Sequence, residues 1–118
     1  MTVQECYEAI GGNYQEAIGR MMDDARVKRF SGMFLKDTSF QELCTYMDAN
    51  DVEMAFRAVH TLKGVCANLS LTKLFDTANA MTEVLRKKDM ATAQEMFPQL
   101  VQDYELVAAK IKELNEEN

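Results

Sequence analysis

The sequence predicts an all-α fold: an up-down antiparallel four-helix bundle with short additional N-terminal helices. Three observations predict it. Apolar residues recur at i, i+3, i+4 and i+7 in one segment after another, the spacing of a single helix face. No alternating strand pattern, Asn-Gly hairpin signal or strong internal repeat occurs. The breaks between long segments are two to four residues, so consecutive helices should pack antiparallel.

The elements follow in order. VQECYEAI, residues 3–10, is a short amphipathic turn or helix ended by Gly11-Gly12. Asn13 can cap YQEAIGRMM, which Gly19 weakens by about 1 kcal/mol relative to Ala. Asp23 or Asp24 can cap ARVKRFSGMFLK, whose apolar residues are Val27, Phe30, Phe34 and Leu35. Ser39-Phe40-Gln41-Glu42 has the S-x-x-E capping-box form and opens FQELCTYMDA, with Phe40, Leu43, Cys44 and Met47 on one side. Asn50 with Glu53 offers a cap for the helix that follows Asp51. After a break at Ser70 comes LTKLFDTANAMTEVLRKK, with its stripe at Leu71, Leu74, Phe75, Ala78, Met81 and Leu85. Arg86, Lys87 and Lys88 crowd its last turn and read as a solvated helix end, where cations suit the dipole. Asp89 caps a final segment from Met90 to Glu116 that Pro98 should kink or restart. Its stripe is Leu100, Tyr104, Val107, Ala108, Ile111 and Leu114, and the polar tail NEEN is expected to fray. The organisation expected is one domain over residues 1–118, with a bundle core at about 25–115 and residues 1–24 forming short helices packed on it.

Composition bounds the function. At 118 residues, 47% apolar and 27% charged, the chain suits one globular domain and not a disordered one. No apolar run approaches the ~20 residues needed to cross a bilayer, and MTVQECYEAIGG lacks the form of a signal peptide. No membrane association and a cytoplasmic location are therefore expected. The net charge of −6 disfavours nucleic acid. Cys6, Cys44 and Cys66 are odd in number and widely spaced, so they read as reduced thiols used as small apolar residues. One His and three scattered Cys offer too few ligands for zinc, and no metal site is expected. The chain lacks G-x-S-x-G, H-E-x-x-H and G-x-x-x-x-G-K-[ST], which argues against conventional hydrolysis and phosphate-loop nucleotide binding.

His60, the single histidine, lies in DVEMAFRAVHTLKGVCANLS, residues 51–70. At about 100° per residue, Ala55, Val59, Leu62, Cys66 and Leu69 fall at roughly 180° to 260° from it, flanked by Ala58 and Val65. Glu53, Arg57, Gly64 and Ala67 lie within about 60° of it, and Phe56 and Lys63 stand roughly 40° to 60° away on one shoulder. The histidine is therefore expected on the solvent face. It is either an ordinary surface residue or a nucleophile. For the second role, an accessible imidazole that is neutral near pH 7 can accept a phosphoryl group. Lys63, one turn on, can offset the phosphoryl charge. Gly64 and Ala67, one and two turns on, let a partner's active site approach.

His60-Thr61-Leu62-Lys63-Gly64, followed by Val65-Cys66-Ala67-Asn68-Leu69-Ser70, resembles the signature of histidine-containing phosphotransfer (HPt) domains, H-x-L-K-G then a small-and-apolar stretch. Ala55-Phe56-Arg57-Ala58 and the order of helices fit as well, over roughly residues 25–115. The GGN-YQEAIGR segment looks like that of small stand-alone bacterial members, and Met1 with the polar tail suggests a complete short protein. The resemblance implies a phosphohistidine carrier rather than an ATP-dependent kinase, since nothing resembles a kinase ATP-binding domain. His60 maps to the phosphoacceptor, by Nε2. Lys63 maps to the lysine near the phosphoryl group and Gly64 to the small residue beside the histidine. Glu53, Phe56, Arg57 and Ala67 complete an expected partner-binding patch, in which Phe56 is equally readable as a bundle-edge core residue. The implied partners are a response-regulator receiver domain, a sensor histidine kinase, or both. The chain itself is expected to be a monomer with no cofactor, Mg²⁺ belonging to the partner receiver. Ser70 departs from the family's usual Gly and is expected to cap the next helix instead. A non-catalytic helical adaptor that binds a receiver is the alternative, and a domain of a larger kinase a third.

Overall fold

The computed structural model describes residues 1–116. Seven helices occupy them: α1 (Val3–Ala9), α2 (Tyr14–Met21), α3 (Asp24–Phe34), α4 (Ser39–Asp48), α5 (Val52–Asn68), α6 (Thr72–Arg86) and α7 (Met90–Glu116). The bundle consists of α4 to α7. Helix α5 packs between α4 and α6, and α6 packs on α7. Tyr104 of α7 closes the ring, stacking on Phe40 of α4 at 3.7 Å between centroids and meeting Phe34 of α3 at 5.4 Å. Gln94 of α7 adds a hydrogen bond from Nε2 to the Met47 carbonyl at 2.7 Å. At about 1.5 Å per residue the 27 residues of α7 account for the molecule's 41 Å long axis. One hydrophobic cluster runs from Val3 to Leu114, and α1 to α3 contribute Cys6, Tyr7, Ile10, Ala17, Val27 and Phe34 to it. None of the described helices is long and apolar enough to cross a membrane.

The tight turns share one device. A helix that ends with a left-handed residue can return two amide donors to its last carbonyls. Asn50 (φ 52°), Ser70 (φ 56°) and Lys88 (φ 62°) take that position after α4, α5 and α6, and Gly11 (φ 69°) takes it after α1. Ser70 N donates to Ala67 O at 3.2 Å and Leu71 N to Cys66 O at 2.9 Å; the other turns repeat the pattern. After Asn50, Ser70 and Lys88 the next residue starts the following helix, and after Gly11 the second one, Asn13, does. Asp51 accepts from Met54 N at 3.2 Å, and Asp89 from Thr92 N at 3.0 Å. With turns this short, each helix must fold back beside the last, as the break lengths predict.

Several local expectations shift. Asp51, not Asn50, caps α5, because Asn50 is consumed by the left-handed turn. Ser39 is the first residue of α4, not its cap. The N-cap is Thr38, which makes no side-chain capping bond, and Asp37 just before it accepts at Oδ2 from both the amide and the hydroxyl of Ser39. Ser70 does not cap α6; the N-cap is Leu71, without a side-chain bond, and the Ser70 hydroxyl donates to Glu16 Oε1 at 2.7 Å. Phe30 and Leu35 are exposed, because the inward stripe of α3 is Val27, Ser31 and Phe34. Pro98 lies inside an unbroken α7. Asn115 and Glu116 of the tail belong to α7, and the last two residues lie outside the described set. Asn13, Asp23 and Asp89 cap as expected.

All three cysteines are free. Burial pushes the Cys66 thiol up to about 12 and Cys6 up to about 11, so both stay protonated at neutral pH. Asp103 is the unforeseen buried charge. Its Oδ1 accepts from Gln99 at 3.0 Å and faces Lys73 Nζ at 3.7 Å, joining α6 to α7, while Oδ2 has no hydrogen-bond partner among the described residues.

The turn geometry makes opposite predictions for two residues. An L side chain in left-handed backbone costs roughly 1–2 kcal/mol, so Lys88→Gly should gain about 0.5–1 kcal/mol after the extra freedom of the unfolded glycine is subtracted. Gly11→Ala should lose at least about 1 kcal/mol, because its new Cβ would also meet Lys73 Cβ at 2.9 Å. Urea unfolding measures both, and a destabilised Lys88→Gly variant would contradict the turn assignment.

Candidate functional site

Direction along α5 is decided by its core. Ala55, Ala58, Val59, Leu62 and Cys66 are buried, and Leu69 just past the helix is buried as well. With that face enclosed between α4 and α6, the opposite face is bare. His60 is exposed at mid-helix, as are Glu53, Arg57, Gly64 and Ala67. Phe56 and Lys63 are half-buried on the shoulder. The angular reading of the sequence thus matches the burial pattern residue by residue.

The structure brings Phe56 and His60 into contact, their rings 5.8 Å apart and tilted by 35°. Among the described residues the imidazole makes no hydrogen bond, so no carboxylate orients it as in a hydrolytic triad. Its ring is free to meet a partner. Lys63 and Arg57 likewise form no salt bridge among the described residues, and the Arg57 carbonyl accepts from the Thr61 hydroxyl at 3.0 Å. These two cations share the histidine's side of the helix through helical spacing. No group of three or more His, Cys, Asp or Glu side chains converges among the described residues.

Gly64 is the informative small residue. A Cβ built there meets nothing within 4 Å. Gly32 differs, since a Cβ there would meet Asn115 at 3.0 Å. No packing inside the fold therefore calls for glycine at position 64, although glycine costs a helix interior about 1 kcal/mol relative to Ala.

Two residues outside the expected patch reach it. The Arg86 guanidinium lies 5.0 Å from the centroid of the Phe56 ring, so a cation, an aromatic ring and the imidazole follow one another. Val52, Glu53, Phe56, Arg57, Leu85, Arg86 and Lys88 line a shallow groove beside this series. The basic triplet is therefore more than a solvated helix end. Hairpin register carried the signal: Phe56 lies nearly as many residues before Ser70 as Arg86 lies after it. The second residue is Arg20 of α2, whose Nη1 donates to the Ala67 carbonyl at 2.5 Å and to that of Asn68 at 2.9 Å. Nothing in the local sequence signals that contact, which spans 47 positions.

Open space at position 64 has a measurable consequence. Gly64→Ala should stabilise the fold by about 0.8–1 kcal/mol in urea unfolding. A loss of stability there would reveal a packing reason for the glycine.

A scan of family models matches one described as Hpt domain to residues 32–110, more than half of the 118-residue chain. Searches of curated proteins and of solved structures found no match. The matched span begins within α3, carries all of α4, α5 and α6 with most of α7, and makes this chain a member of the Hpt domain family, the histidine-phosphotransfer domains of phosphorelays.

Proposed function

We propose that the chain carries a phosphoryl group on His60, taking it from an aspartyl phosphate of a receiver domain, or from a kinase, and passing it to another receiver. The observation that carries this reading is the exposed His60 beside Gly64, a glycine that the fold does not need. A small residue one turn from the nucleophile leaves room for the partner's active site. Nε2 attacks phosphorus as the bond to the aspartate oxygen breaks. The carboxylate leaves with the electron pair, and the Nδ1 proton is then free to pass to solvent. The reverse sequence delivers the group to the next aspartate. The Mg²⁺ that serves this chemistry is assigned to the receiver's own carboxylates.

Lys63 supports the incoming charge from the same shoulder, while Arg86, paired with Glu83 at 3.6 Å and set behind the Phe56 ring, adds a weaker, screened contribution. A half-exposed cation within several ångströms of a phosphoryl group is worth about 1 kcal/mol, or roughly five-fold in rate. Glu53, Phe56, Arg57 and Ala67 extend the contact surface toward the roughly 800 Å² per partner of a standard interface.

Incubation with a receiver domain loaded by acetyl phosphate tests this directly. The chain should acquire an acid-labile phosphoryl group, and His60→Gln should remain unlabelled. Lys63→Gln should slow labelling about five-fold, and Arg86→Gln by about two-fold or less. Labelling that survives in His60→Gln would sink the assignment. Receiver binding with no labelling of the intact chain would turn the reading to the adaptor.

A further inference from the structure

The family match starts at residue 32, so α1 and α2 lie outside it. Yet these helices seal the end of α5. The last carbonyls of a helix lack intrahelical partners and form the negative pole of its dipole. Arg20 takes Ala67 O and Asn68 O, the Tyr7 hydroxyl takes Leu69 O at 2.7 Å, and the Asn13 amide takes Ser70 O at 2.9 Å. Glu16 completes the joint, accepting from the Ser70 hydroxyl at 2.7 Å and pairing with Arg20 Nη2 at 3.5 Å. Of these capping groups only Arg20 brings a positive charge, and its side chain remains 46% exposed.

We infer that Arg20 is a docking residue of the transfer face, holding a fixed cation against the acidic rim of a phosphoaspartate-bearing partner; this rests on the function proposed above. Position decides the point. Ala67 lies two turns from His60 on the same face, about 10 Å along the axis. A patch of about 800 Å² is a disc of radius roughly 16 Å, so one centred on His60 takes in Arg20. Ionic screening over about 8–10 Å makes Arg20 weak at the phosphorus itself. Its effect therefore belongs to docking and not to the transfer step. Two carbonyl bonds hold the guanidinium in place, so little side-chain freedom is lost when a partner arrives.

The test follows labelling of the full chain by a receiver domain loaded with acetyl phosphate, at several salt concentrations. Arg20→Met should raise KM about three- to five-fold, leave kcat within two-fold and flatten the salt dependence of KM. Arg20→Lys, which keeps the charge but loses the fork across two carbonyls, should hold KM within two-fold. Tyr7→Phe uncaps the same helix end without changing charge, and should lower Tm while KM and its salt dependence stay at wild-type values. A wild-type KM in Arg20→Met, or equal rises in KM for Arg20→Met and Tyr7→Phe, would reduce Arg20 to a helix cap. If Arg20→Met does not fold, a rise of five-fold or more in Arg20→Lys overturns the inference. Failure of the intact chain to label at all overturns the underlying function instead.

Discussion

Burial of one face of α5 constrains everything else about this molecule. Ala55, Val59, Leu62 and Cys66 are fully enclosed, and a helix turning about 100° per residue has no freedom left once that face is fixed. His60, Gly64 and Ala67 must then point outward. Small residues in the buried stripe let α4 and α6 flank the helix closely, while the longer inward side chains come from its neighbours: Leu43 and Met47 from α4, Leu74, Met81 and Leu85 from α6. The site is thus the unoccupied side of a packing solution, and it is as rigid as the core behind it.

The ends of α5 matter as much as its faces. At its start, Asn50 and Asp51 divide the work of ending α4 and capping α5. At its finish, Ser70 adopts a left-handed conformation that glycine would enter more cheaply. That conformation gives a physical reason for the glycine usual at this point of the motif. Serine carries the conformational cost, and its hydroxyl is used in the joint with Glu16. The N-terminal helices therefore do more than cover one side of the bundle, since they complete the hydrogen bonding that α5 cannot complete itself.

Periodicity was enough to read the helices and the direction of His60, because both follow from residues a few positions apart. The misplaced caps at Ser39 and Asn50 had a different cause. Several side chains near each helix start can accept an amide, and the turn that ends the preceding helix decides which one is free. Phe30 was misread because Ser31, a small polar residue, is what faces the bundle from α3. Asp103 was missed because a single carboxylate within a polar stretch of α7 gives no sign that Lys73 and Gln99 will enclose it. Arg86 and Arg20 reach the α5 face through tertiary register, which only the folded arrangement supplies. The angular count did place Glu53, Phe56, Arg57, Lys63, Gly64 and Ala67 around the histidine. It could not say that the Phe56 ring would lie against the imidazole.

What unites these features is an exposed imidazole on a face kept clear by Gly64 and flanked by Arg57, Lys63 and Arg86, in a chain of net charge −6. In the function proposed above, this imidazole forms a bond to phosphorus through Nε2. Phosphorus and nitrogen NMR of ¹⁵N-labelled protein after transfer tests it most directly. A single phosphoramidate signal coupled to Nε2 of His60 is expected. Phosphorus coupled to Nδ1, or found on a carboxylate or hydroxyl while His60 is unchanged, would contradict it.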